Sequence, residues 1–310
     1  MSGGSSVDRV ASALLYEGYL LYPYRRSALK NRQRFNFGVI YPREYSEALR
    51  GGEPCEMRTE CLVEGSSEAE LDVTVRFLHL FERTAEPGEL AWHGAIEREV
   101  TLRVERSVLR GAPRSLRFGF PAADAPGRQM GLTGRVELAA QEAQPGVDRV
   151  RVAISNLTPM DDTAMASRDE VMLRSLVSTH TILRTAGGEF LSLTDPPAGV
   201  KGTAAACENI GTWPVLAGEN GARDTVLSSP IIVPDFPGIA PESPGDFFDG
   251  TEMDEMLSLR ILTLTDEEKR EMAESDERAR ELLARTEAFE EQHLRRMHGV
   301  LREIRSLEAP

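Results

Sequence analysis

The stretch Leu71-Asp72-Val73-Thr74-Val75-Arg76-Phe77-Leu78-His79-Leu80-Phe81 decides the fold. Its odd positions are apolar or aromatic, while Asp72, Thr74 and Arg76 stand between them, the period of two that a strand with one buried face requires. The same alternation recurs over Cys55–Cys61, at Val100, Leu102 and Val104, at Leu116, Phe118 and Phe120, over Leu132–Leu138, and at Val150, Val152 and Ile154. Pro87-Gly88, Gly111 to Pro113, Pro126-Gly127 and Pro145-Gly146 punctuate the runs. The half-polar faces exclude a parallel sheet covered on both sides, and six such strands predict an antiparallel β-sandwich over residues 53–160.

Around this core the period changes. Val10, Leu14, Leu15 and Leu21 predict a helix over Val7–Leu21 that stops before Pro23. Ser167 with Glu170 forms a capping box for a short helix to Leu176, after which His180–Thr185, Gly187-Gly188 and Glu189–Leu193 read as a hairpin. Residues 195–250 hold eight prolines together with Trp213, Phe236, Phe247 and Phe248. That apolar content predicts a segment wrapped on the core, with these aromatics buried, because disordered segments are poor in large apolar residues. The C-terminal part is helical: Thr251 to Leu262 form one stretch, Thr265 and Glu268 cap the next, and a stripe from Leu282 through Thr286, Phe289, His293, Met297, Val300 and Ile304 to Leu307 keeps a helical period. The expected fold is therefore α+β. It has an N-terminal helix with a basic aromatic segment (1–52), the β-sandwich (53–160), a mixed segment with hairpin and proline-rich wrap (161–250) and a helical C-terminal region (251–310).

The chain has 310 residues, is 41% hydrophobic and 28% charged, and carries three cysteines. That excludes collagen-like and wholly disordered classes and gives no disulfide framework. The most apolar N-terminal stretch, Ala11–Tyr24, is broken by Glu17, Gly18 and Pro23, so neither a membrane span nor a secretory signal is expected. A cytoplasmic location is the corresponding expectation.

The net charge of −14 is unevenly spread. Between Gly18 and Arg43 stand Arg25, Arg26, Lys30, Arg32, Arg34 and Arg43 with no acid, so the rest of the chain carries −20. All six tyrosines, Tyr16, Tyr19, Tyr22, Tyr24, Tyr41 and Tyr45, fall in or beside this window. Arginine and tyrosine are the residue types enriched at binding hot spots. The expected partner surface is Tyr22, Tyr24, Arg25, Arg26, Lys30, Arg32 and Arg34, facing a protein. A packing role for the tyrosines is the alternative, and the acidic remainder disfavours nucleic acid.

Other chemistry is sparse. There is no phosphate-binding glycine loop, no G-x-S-x-G and no H-E-x-x-H. Asp246 to Gly250 departs in spacing from both a phosphatase signature and an EF-hand and reads as a turn. Cys55 and Cys61, six apart on a strand, read as small hydrophobes rather than metal ligands. A single Glu290-x-x-His293 pair falls short of a di-iron site. No cofactor, metal or catalytic residue is assigned. If the protein is instead an enzyme or metal carrier, Cys207, His180 and His293 are its candidates.

Two long segments carry a resemblance. Leu14-Leu-Tyr-Glu-Gly-Tyr-Leu-Leu-Tyr-Pro-Tyr-Arg-Arg-Ser-Ala-Leu-Lys-Asn-Arg32, and the run from Ser228-Ser-Pro-Ile-Ile through Ile239-Ala-Pro-Glu-Ser-Pro-Gly-Asp-Phe-Phe-Asp-Gly-Thr-Glu to Leu262-Thr-Leu-Thr-Asp-Glu-Glu-Lys, are similar to a bacterial family encoded beside actinobacterial-type, oxygen-tolerant [NiFe]-hydrogenase genes. The resemblance spans about residues 13–290. It implies an accessory protein whose partner is a hydrogenase subunit or maturation factor, and it lends no catalytic residues.

Overall fold

The computed structural model describes residues 5–17, 36–50, 52–83, 92–161, 163, 166–238, 261–275 and 277–288. The chain divides into two compact units, Met1–Tyr19 with Phe35–Pro237, and Leu20–Arg34 with Gly238–Pro310. The first unit holds, in chain order, α1 (Ser6–Glu17), α2 (Arg43–Ala48), β1 (Glu56–Arg83), β2 (Trp92–Glu105), α3 (Arg106–Gly111), β3 (Arg114–Phe120), β4 (Leu132–Gln144), β5 (Val147–Asn156), α4 (Arg168–Met172), β6 (Val177–Leu191), α5 (Lys201–Ala205), β7 (Trp213–Leu216) and β8 (Thr225–Ser229).

Every predicted strand is present, but the fold they make differs from the expected pair of sheets. All eight strands belong to one antiparallel sheet of order β3-β4-β5-β1-β6-β8-β7, with β2 on β1. The Cys55–Cys61 and Leu71–Phe81 runs are two halves of the single strand β1. Along one edge β1 pairs first with β5, to Glu64↔Val147, and then with β2, from Glu70↔Glu105, while β6 follows most of its other edge. At the switch the strand bends. Beyond the bend Phe77 stacks against Phe118 and Phe120 of β3, at 5.8 and 5.9 Å between ring centres, so the sheet curls into a nearly closed barrel around one apolar interior.

The bend explains the Gly187-Gly188 pair. It is not a hairpin turn but lies inside β6, with Gly188 opposite Gly65 of β1, at a bulge whose extra residues, 66–69, belong to β1. Gly65 has φ +116°, and a Cβ there would come within 2.8 Å of the Gly188 Cα. Only residues without side chains let the two backbones pass so closely. The gap that opens between β2 and β5 is filled by Arg106, the first residue of α3. Its guanidinium is buried, donates to the Gly65 carbonyl and lies 2.9 Å from the buried Asp148 carboxylate at the start of β5. Arg110, one turn on, holds the same carboxylate at 2.8 Å.

α1 packs its buried Val7, Val10, Ala11, Leu14 and Leu15 on the outside of the sheet, and Arg76 of β1 reaches across to the Asp8 carbonyl and the Ser12 hydroxyl. α4 begins at Ser167, whose hydroxyl accepts the Glu170 N–H as its spacing predicts. The described part of the proline-rich stretch, residues 195–238, supplies two strands of the sheet. Thr59, Ser228 and Thr212 tie it to β1 through buried hydroxyl contacts of 2.8 and 2.7 Å.

In the second unit, α6 (Asp266–Ser275) and α7 (Glu277–Glu287) share a small core of Ile261, Leu264, Met272, Leu282 and Leu283. The predicted capping box is reciprocal: the Thr265 N–H donates to the Glu268 carboxylate at 2.8 Å and the Glu268 N–H to the Thr265 hydroxyl at 3.3 Å. Phe247, Phe248, the expected Thr251–Leu262 helix except its last two residues, and the stripe beyond Thr286 lie outside the described residues.

Candidate functional site

The expected partner residues Tyr22, Tyr24, Arg25, Arg26, Lys30, Arg32 and Arg34 all lie outside the described residues, as do Asp246 to Gly250, Glu290 and His293. At the described end of that window the packing alternative holds for Tyr41. This ring is buried against Tyr45, 5.7 Å between centres, and burial pushes its phenol above the usual value. Arg43 is exposed.

The residues with chemical potential are locked into structure. His180 is fully buried between α1 and the sheet; its Nδ1 contacts the Ser178 carbonyl at 2.7 Å, and burial pulls its pKa down to about 4, with Arg76 adding to the effect. His79 is equally buried, its Nε2 2.8 Å from the Met130 carbonyl, and burial with the nearby Arg98 lowers it to about 4. Both rings are neutral near pH 7. Burial raises the thiols of Cys61 and Cys207, and the Cys207 S–H points to the Thr203 carbonyl at 3.7 Å; neither has the lowered pKa of a reactive thiolate. Among the described residues no group of three or more His, Cys, Asp and Glu is arranged to hold a metal ion. A groove of about 680 Å³ runs along the bend between Glu64, Gly65, Pro145 to Val147 and Gly187 to Glu189. The Glu64 and Glu189 carboxylates at its rim are both engaged by Arg223.

The surface with an unmet physical demand lies at the end of the sheet. Among the described residues the large exposed apolar side chains are Phe37, Leu49, Ile210, Trp213, Ile232 and Phe236, and three of them, Trp213 at 45%, Ile232 at 72% and Phe236 at 42%, belong to β7 and the segment that follows β8. Ile210, at 42%, pairs with Arg58 of β1 and leads into β7. The expected burial of Trp213 and Phe236 therefore fails. Trp213 opens an edge strand and pairs with Ser229; from there Pro230, Ile231 and Ile232 lead the chain back past β7.

That return is firmly held. The Asp235 carboxylate accepts the Leu216 N–H at 2.8 Å and the hydroxyls of Ser192 and Thr194 at 2.5 and 2.9 Å, and the Phe236 N–H donates to the Leu216 carbonyl. Phe236 itself has φ +55°. For a bulky residue this backbone conformation is strained and persists only where the surroundings impose it. Since Leu216 turns its N–H and C=O outward, Pro214, two residues earlier, stands where an outward N–H would be, and it has none. The edge is thereby closed to simple strand addition and displays side chains instead. Pro214 directly after Trp213 was the signal in the sequence: a proline within a strand marks an edge, and its neighbour is then a surface residue.

Compared with known proteins, the chain matches no family model and no curated sequence.

Proposed function

We propose that the protein is a cytoplasmic accessory protein that acts by protein contact, in the assembly, maturation or complex formation of a [NiFe]-hydrogenase. The observation that carries the contact reading is the group Ile210, Trp213, Ile232 and Phe236, large apolar side chains held out in solvent on a well-anchored frame. Clustered exposed apolar side chains are a feature of interaction sites, and Trp is among the commonest hot-spot residues. The hydrogenase part is supported by the two resembling segments, the second of which begins at Ser228 beside this group. No described helix is long and apolar enough to cross a membrane.

Affinity capture of the tagged full-length chain from a hydrogen-oxidising actinobacterial host, read by mass spectrometry, tests the proposal. Enrichment of a hydrogenase subunit or maturation factor by the wild type, lost in Trp213→Ala/Ile232→Ser, is the expected result. Equal enrichment by the double variant overturns the assigned surface, and the absence of any hydrogenase protein from the captured set overturns the hydrogenase role.

A further inference from the structure

Among the described residues the barrel is not closed by backbone hydrogen bonds. Among the described residues β2 has a ladder only with β1, and β3 only with β4. α3 joins these two free edges at one end, and at the other the Arg98 guanidinium of β2 lies 4.6 Å from the centre of the Phe120 ring of β3. Between these two described edges side chains, not a ladder, make the contact. The inward rows record the same gap: Val73, Val75, Phe77, Leu138, Val150 and Val152 are completely buried, whereas Leu102 and Val104 of β2 and Leu116, Phe118 and Phe120 of β3 are only partly so.

The charges beside this opening are one-sided on β3. Arg117 stands directly opposite Arg135 of β4, and among the described residues neither has a carboxylate partner; the Arg135 Nε is buried with no hydrogen-bond acceptor there. Like charges directly opposite on neighbouring strands destabilise a sheet unless something neutralises them. Arg114, at the start of the same strand, is exposed and also has no carboxylate partner among the described residues.

The geometry points to strand addition: an extended segment of a partner protein, apolar on one face and carrying carboxylates on the other, pairs with the free edge of β3. Its N–H and C=O groups meet the unpaired edge, its apolar residues complete the cover over Leu102, Leu116 and Phe118, and a carboxylate lies against Arg117 and Arg135. Backbone pairing supplies affinity and alternate side chains supply selectivity in this mode of recognition. This surface is distinct from the β7 group, so it stands or falls independently of the hydrogenase reading.

The test is hydrogen–deuterium exchange on the full chain with two synthetic peptides of seven residues, the length of β3. Both alternate valine with a charged residue, glutamate in one and lysine in the other. The glutamate peptide is expected to protect the amides of β3, with the lysine peptide weaker by roughly tenfold, the equivalent of about 1.4 kcal/mol. In Arg117→Glu, whose new carboxylate faces Arg135 and so preserves the sheet, the preference is expected to reverse. Protection of β3 by neither peptide, an unchanged preference in the variant, or concentration-dependent protection of β3 without peptide, which would mean that a second copy fills the gap, each overturns the proposal.

Discussion

The closed interior of the barrel and its unclosed margins are built from the same alternating residues yet meet opposite demands. At the bend of β1 backbone meets backbone and charge meets charge: Gly65 against Gly188, Arg106 on the Gly65 carbonyl, Asp148 between Arg106 and Arg110. At β7 and at the β2–β3 opening, apolar side chains and charges are left facing solvent or one another. Interior groups hold the fold, so changing them costs stability. Margin groups are held by the fold, so changing them should spare stability and, under the proposals made above, change binding.

Breaking the ion pair at the bend has the largest expected effect. Asp148→Asn leaves the buried Arg106 guanidinium without its counter-charge, and removing one partner of such a pair costs about 3–5 kcal/mol. Denaturant titration of the variant should show a loss of that order. A loss below about 1 kcal/mol would place the bend among the tolerant margins.

Acid sharpens the same contrast. His79 and His180 sit near pKa 4 in the folded chain against about 6.5 unfolded, so between these values the unfolded state binds more protons and stability falls as pH falls. From pH 6.5 to 5 the loss should be about 2 kcal/mol per histidine. It should be present in Trp213→Ala and smaller in His180→Gln, provided that variant folds.

Gly65→Ala comes next. A methyl group near the Gly188 backbone, at a φ that disfavours side chains, should cost about 1–3 kcal/mol by thermal melting. Ala at Gly146, also at positive φ but with open space around it, should cost less.

The parts of this contrast were unevenly legible. Strand positions were readable because alternation is local, and the Ser167 and Thr265 caps because each is written within four residues. That two alternating runs form one strand was not readable, since Gly65 to Glu70 interrupt the alternation and reveal themselves as a bulge only opposite Gly187-Gly188. The ion pair of Arg106 with Asp148 joins residues 42 positions apart, and no local pattern announces it. The apolar residues around β7 were visible but assigned to the interior, because composition reports how much can be buried and not which face is.

The central claim, that the β7 group is held by the fold and serves contact, is tested most directly by one paired measurement on Trp213→Ala/Ile232→Ser: melting temperature and capture of the proposed hydrogenase partner from the same preparation. Exposed substitutions usually change stability by less than about 0.5 kcal/mol each, so the melting temperature should stay within a few degrees while capture falls at least tenfold. A variant that melts much lower, or that captures its partner as well as the wild type, would contradict the claim.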